Sequence, residues 1–339
     1  MSSEPGTALG DGELAAALDG HEFAVCLTHD VDRVHKTFQT VYYAVRDRDP
    51  GHLRALLPGV EPYWQFETVM ELERDLGVRS AFYFLDEQPL RERPVHEWVD
   101  PERWKLHTAR YDVEAPRIAD TITALDRGGW EVGLHGSYDS YRDRSLLAEQ
   151  KATIERVLGH PVTGGRQHYL NLEVPETWRR QADVGLSYDA SLGSSTRYGF
   201  QHGYGPFRPF EDRFVVFPLT LMEVALPDPA PGARDAGTGS GRGRSAAGAS
   251  GARRRNEGVT ATDGGASPAV SAAAREVCDD LLDEARRNGA VMTVLWHPRY
   301  FAAEFPGYRE CYRYVVERAL EMDAWVGPPG ELYARLPHG

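Results

Sequence analysis

Residues 22–32 read Glu-Phe-Ala-Val-Cys-Leu-Thr-His-Asp-Val-Asp. The first half is apolar and the second is polar and charged. An apolar run this short fits a buried strand better than a core helix. Its C-terminal end then carries Thr28, His29, Asp30 and Asp32. Residues two apart on an extended chain face one side, so Asp30 and Asp32 project together. Two carboxylates at one strand end suit a metal ligand and a general base. The competing account is a turn or a helix cap, where Asp is common.

Working outward, the same pattern repeats. Residues 65–76 have helical spacing and end at Gly77, and 78–85 (VRSAFYFL) read as a strand. A helix over 116–127, stopped by Gly128-Gly129, leads to WEVGLHG. A helix over 145–158 leads to PVTGGRQ, one over 176–184 leads to GLSYDAS, and FVVFPLTL reads as a further strand. Last, a helix over 272–288 leads to AVMTVLWH. Alternating helix and strand implies an α/β fold with a mostly parallel sheet and helices outside. The strand-like units number about seven, enough to close a complete or distorted (β/α) barrel, whose catalytic groups gather at the C-terminal strand ends.

The chain has 339 residues, 41% of them hydrophobic and 10% aromatic, which suits one large packed domain. Residues 1–20 read as a mobile leader and 21–339 as a single barrel domain. Residues 231–270 contain only small, polar and Arg-rich sequence without an aromatic. They cannot bury an apolar face and read as a disordered surface insertion; the alternative is a docking arm for an acidic partner. The net charge of −13 argues against nucleic acid or an anionic membrane as partner. Cys26, Cys278 and Cys311 show no paired spacing, which fits a reducing compartment. The N-terminus lacks a basic region followed by an apolar stretch, and no apolar run approaches the ~20 residues of a membrane span. The expectation is a cytoplasmic protein.

Further polar groups follow the other expected strands. If the chain turns helical after WEVGLHG, His135 and Asp139 share a face and grip one ion together with Asp32. Such a site takes zinc first, with cobalt, manganese or iron as alternatives; the alternative account of the pair is a hydrogen-bonded core histidine. His297 ends an apolar strand and suits either a general acid or a structural cap. Arg166 forms a surface ion pair, or holds a buried carboxylate ionised.

In this order, Thr28-His29-Asp30-Val31-Asp32, His135 to Asp139, Arg166-Gln167-His168-Tyr169, Asp189 and Leu295-Trp296-His297 resemble the motifs of the polysaccharide deacetylases, carbohydrate esterase family four. The first of these motifs is similar to that of an atypical branch whose two acids are separated by one residue. The resemblance spans roughly residues 22–335 without the insertion. It implies a distorted (β/α) barrel, Asp30 as base, Asp32, His135 and Asp139 as metal ligands, and Arg166 orienting Asp30. It further implies the Tyr169 N–H at the oxyanion, His168 touching substrate or metal, and Asp189 tuning His297 as acid. The stretch Gly203–Phe210 resembles a loop of the atypical deacetylases, placing Arg208 at the sugar; its alternative is a turn packed by its own aromatics. In two places the chain departs from the family pattern: Asp139 stands for a second His, and His168 for a Pro.

The implied activity is metal-dependent hydrolysis of an N-acetyl group on a sugar or oligosaccharide, with one divalent ion activating water. Two other accounts stay open: hydrolysis of a cyclic amide or imide on the same barrel, and a catalytically degenerate barrel that binds carbohydrate.

Overall fold

The stretch that opens the sequence reading is the central strand. Residues Ala24–Val31 form one strand, buried at every position. The computed structural model describes residues 6–36, 39–46, 48, 50–57, 59–108, 110–230 and 270–337. Over these described residues the chain forms eleven strands: β1 (Thr7–Ala8), β2 (Ala24–Val31), β3 (Ala81–Leu85), β4 (Glu131–Gly136), β5 (Gly164–Gln167), β6 (Tyr188–Asp189), β7 (Phe207–Arg208), β8 (Val215–Val216), β9 (Leu219–Met222), β10 (Val291–Leu295) and β11 (Trp325–Gly327). Among the described residues ten α-helices accompany them: α1 (Asp11–Ala17), α2 (Gln39–Arg46), α3 (Phe66–Asp75), α4 (Pro101–His107), α5 (Pro116–Arg127), α6 (Arg144–Leu158), α7 (Glu176–Asp183), α8 (Ala272–Arg287), α9 (Tyr308–Glu321) and α10 (Pro329–Arg335).

The sheet runs β1-β7-β8-β6-β5-β4-β3-β2-β10-β9, with β11 also paired to β2. All pairings from β8 through β6, β5, β4, β3, β2 and β10 to β9 are parallel. The two ends of that run, β8 and β9, are separated in sequence only by Phe217 and Pro218. One extended segment thus pairs with β6 at its start and with β10 at its end. The sequence reading treats FVVFPLTL as a single strand. Pro218 has no N–H to donate to a ladder, which is where the segment leaves one neighbour for the other. Counted as one, β8 and β9 complete a distorted barrel of seven strands.

Alternation along β2 sorts its residues between two environments. Phe23, Val25 and Leu27 join the large cluster under the outer helices, and Ala24 and Cys26 face the barrel interior with Tyr83 and Tyr188. His29 points outward, where it meets Glu73 at 2.9 Å and packs at a tilt against the rings of Phe82 and Tyr312. Asp30, one residue on, points inward. The interior is filled by tyrosines, and glycine makes the room: a Cβ on Gly164 would stand 2.0 Å from the Tyr188 ring. Each large apolar side chain buried this way contributes roughly 1.5–3 kcal/mol.

The leader expected to be mobile is built into the fold over its described part. β1 pairs antiparallel with β7. Leu9, Ala17 and Leu18 are buried, and Leu14 packs against the same cluster. Leu14, Ala17 and Leu18 have i, i+3, i+4 spacing, the mark of a short amphipathic helix that a reading based on polarity overlooks. The insertion expected over 231–270 lies outside the described residues except for Val270, which is buried.

Candidate metal centre and active site

The C-terminal ends of β2, β4, β5, β9 and β10 open onto one cleft of about 640 Å³, lined among others by Asp30, Asp32, His135, His168, Tyr169 and His297. Clefts that hold small molecules fall in the range of about 300–1,000 Å³.

Asp32 sits at the middle of the cluster. Its Oδ1 lies 3.2 Å from His135 Nε2 and 3.5 Å from His168 Nε2, and its Oδ2 lies 3.4 Å from His297 Nε2. Burial pushes its carboxyl up, but His297, His135, His168 and Arg299 outweigh that and hold it well below the usual carboxylate range. Asp30 receives Arg166 Nη1 at 2.8 Å, and the same nitrogen donates to Thr28 Oγ1 at 2.9 Å. Burial raises the Asp30 carboxyl, while Arg166, His135 and His297 bring it below its ordinary value. Both acids therefore stand ionised beside imidazoles.

Asp32, His135 and His168 each offer one ligand atom, all within 4.8 Å of one another. The donor chemistry fits a divalent ion. His135 Nδ1 lies 2.9 Å from the Arg166 carbonyl, which takes its N–H and leaves the Nε2 lone pair facing the cluster. Burial holds the His168 imidazole well below its usual value, which favours the form with a free lone pair. His168 Nδ1 is buried and without a hydrogen bond among the described residues, 3.8 Å from Glu87 Oε2. That spacing is one small adjustment from the carboxylate–histidine pair that orients metal-binding imidazoles.

Two expected roles fall elsewhere. Asp139 does not join the cluster: it pairs with Arg103 at 2.6 Å and Arg93 at 3.1 Å. The chain after β4 makes turns through residue 142, and α6 begins only at Arg144. The helical register that would put Asp139 over His135 is absent, and His168 supplies the third donor. Asp189 does not reach His297 either. It is buried and accepts from Gln181 Nε2 at 2.7 Å, Trp178 Nε1 at 3.2 Å and the Ser191 N–H at 2.9 Å. The carboxylate on His297 is Glu223, with Oε1 2.7 Å from Nδ1. Burial presses the His297 imidazole down, yet Glu223 and Asp32 carry it above its ordinary value.

Glu223 follows β9 directly and Glu87 stands two residues past β3, so the strand-end rule that selects Asp30 and His297 also covers both. Glu223 is the acid that ends the apolar run VVFPLTLM, and Glu87 is the second of the two acids that follow AFYFL.

Tyr169 and Leu170 adopt φ of 59° and 57°. Two consecutive non-glycine residues at positive φ cost of order 1–3 kcal/mol each, and such strain gathers at ligand sites. Here the strained turn carries His168 and Tyr169 into the cleft. Arg208 is not in the cleft. It pairs with Glu13 at 3.2 Å and reaches the Pro337 carbonyl. The Tyr204 carbonyl accepts from the N–H of Val291, the first residue of β10. The Gly203–Phe210 loop thus lies toward the N-terminal strand ends, opposite the cleft, with Phe207 on Trp178 and Phe210 near Phe214.

No protein-family model matches the sequence, and no curated protein matches it. Solved structures do. A Mycobacterium smegmatis protein designated a polysaccharide deacetylase superposes with a TM-score of 0.56 at 17% identity, over 98% of this chain and 94% of that one. The chain has the polysaccharide deacetylase fold. A second protein so designated, from Pseudomonas aeruginosa PAO1, gives 0.51 at 10% identity over 98% and 94%. A family-four pseudoenzyme from Bacillus anthracis is also similar, with a TM-score of 0.42 at 12% identity over 91% of this chain and 65% of that one. The polysaccharide deacetylase fold hosts the cleft but does not fix its chemistry. That has to be read from the side chains.

Proposed function

We propose that this protein is a metal-dependent hydrolase that removes the acetyl group from the nitrogen of an N-acetylated sugar. The observation that carries the reading is the cluster at Asp32: a three-donor set of Asp32, His135 and His168 within 4.8 Å, with Asp30 and His297 both in the same cleft. Carbohydrate binding alone needs neither an ionised buried Asp30 nor a histidine backed by Glu223.

Asp32, His135 and His168 would hold the ion. Once bound, a divalent ion supplies Lewis acidity toward the amide carbonyl and makes a water in the site easier to deprotonate. Asp30, held ionised by Arg166, takes the proton of that water as it attacks the acetamide carbon. The Tyr169 backbone N–H, presented by the strained turn, donates to the developing oxyanion. His297, whose Nδ1–H is anchored on Glu223, passes a proton from Nε2 to the leaving amine. The products are acetate and a free amino sugar.

The test is metal content together with activity. Protein purified without chelator is analysed for bound metal, and acetate release from N-acetylated sugars is measured before and after chelation. About one equivalent of metal, with acetate release lost on chelation and restored by zinc, cobalt or manganese, is expected. Asp30→Asn should keep the metal and lose turnover. Metal without acetate release would move the chemistry to a cyclic amide or imide. Failure to bind any of these metals would leave a carbohydrate-binding barrel.

A further inference from the structure

His29 stands outside the cleft, yet one of its hydrogen bonds leads back to it. The ring is fully buried. Its Nε2 meets Glu73 Oε1 at 2.9 Å, and its Nδ1 lies 2.5 Å from the Trp296 carbonyl oxygen. A carbonyl only accepts, so Nδ1 carries hydrogen and donates. Trp296 is the residue before His297, and its own N–H donates to the Thr28 carbonyl at 2.9 Å. The strand β10 ends one residue earlier, where Leu295 pairs with Thr28. Beyond that last pair, the imidazole of His29 meets the Trp296 carbonyl.

Glu73 lies on α3 and is itself fully buried. Besides meeting His29, it accepts from Ser80 Oγ at 2.9 Å, Trp130 Nε1 at 2.6 Å and the Tyr312 hydroxyl. Ser80 precedes β3, Trp130 precedes β4, and Tyr312 belongs to α9. A buried carboxylate satisfied from several elements is fixed in place, and it braces the imidazole in turn. A peptide unit is planar, so the Trp296 carbonyl shares one plane with the His297 N–H and Cα. Holding that oxygen therefore sets the direction in which the His297 side chain leaves the backbone. From there Nδ1 reaches Glu223 at 2.7 Å, and Nε2 stands 3.4 Å from Asp32.

We propose that His29, braced by Glu73, is a positioning residue for His297: it holds the Trp296–His297 peptide plane from behind the sheet. The proposal rests on the deacetylase reading for what His297 does once placed, while the placement itself stands on the hydrogen bonds. His29 touches neither the ion-binding donors nor the cleft. Its loss should therefore change how the acid is presented and leave metal and substrate binding alone.

The experiment compares His29→Asn with His29→Gln in the full-length, metal-loaded protein. The Asn amide N–H stands near the place of Nδ1 and can still donate to the Trp296 carbonyl; the Gln amide stands near the place of Nε2 and serves Glu73 instead. Steady-state acetate release from N-acetylglucosamine gives kcat and KM, and hydrogen exchange followed by mass spectrometry reads the backbone amides of residues 295–299. His29→Gln is expected to lower kcat about 10- to 100-fold with KM and bound metal unchanged, and to speed exchange over 295–299 about 10-fold. His29→Asn should restore kcat to within about 3-fold of the parent protein and restore the protection, although it gives up the contact with Glu73. Should either variant lose its melting transition, Glu73→Gln takes its place, with a smaller fall in kcat and the same change in exchange expected. Equal losses of kcat in the two variants, or losses that follow Tm alone, overturn the proposal in favour of a purely structural pair. Unchanged exchange over 295–299 in His29→Gln overturns it as well. The expected exchange pattern without acetate release from the parent protein supports the positioning and sinks the deacetylase reading alone.

Discussion

His297 Nδ1 and Glu223 Oε1 lie 2.7 Å apart in a buried pair at the ends of β10 and β9. The carboxylate fixes which ring nitrogen carries the inward proton and leaves Nε2 for the cleft. Glu223→Gln keeps an acceptor but removes the charge that favours the imidazolium. The expected outcome is a fall in kcat of about 100-fold or more with little change in Tm, read from steady-state acetate release and thermal unfolding. An unchanged kcat would remove Glu223 from the mechanism.

Asp189 should behave in the opposite way. Its carboxylate is buried and accepts from Trp178, Gln181 and Ser191. Asp189→Ala leaves those donors without a partner, at a cost of about 1–3 kcal/mol for each buried group left unsatisfied. Urea unfolding should show the loss, while kcat of the remaining folded protein stays near the wild-type value.

The third metal donor separates two residues cleanly. His168→Ala should lose bound metal on dialysis, whereas Asp139→Ala should retain it, because Asp139 is engaged with Arg93 and Arg103. Elemental analysis of the two variants decides between them. Retention by the first and loss by the second would reverse the assignment.

Glu87 stands behind His168 at 3.8 Å and accepts the Tyr138 N–H at 3.0 Å. Outer partners of ligating imidazoles typically matter 10- to 100-fold in metal affinity. Glu87→Gln is expected to weaken zinc binding by about that factor in competition with a chromophoric chelator. An unaltered affinity would make Glu87 a purely structural acid.

Arg166→Met tests the buried pair with Asp30. Removing one partner leaves a carboxylate uncompensated and costs about 3–5 kcal/mol. A shift of the urea midpoint by that amount, together with loss of turnover, is expected. If Asp30→Asn in the same background recovers most of the stability, the cost lies in the stranded charge.

Much of the site was legible because β-structure alternates and α/β barrels gather polar groups at one rim. The run EFAVCLTHDVD by itself puts Asp30 and Asp32 on one face, and the apolar strands before His135 and His297 aim those residues at the same end. Asp139, Asp189 and Arg208 lie apart from the Asp32 cluster; helical spacing suggests the first and the family resemblance the other two, and neither fixes where a side chain ends in space. After β4 the chain turns where a helix would have been needed, and the Gly203–Phe210 loop runs to the far end of the barrel.

The sequence by itself determined the alternating α/β architecture, the paired acids at the end of β2, and the histidines that follow the apolar runs of β4 and β10, because hydrophobic period and strand direction are local properties. Only the tertiary structure decided that His168 stands beside Asp32 and His135 and that Glu223 meets His297. Those groups come from strands and turns far apart in the chain. Their meeting depends on how the sheet curls and on the positive-φ turn at Tyr169 and Leu170, where packing across the whole barrel outweighs local preference.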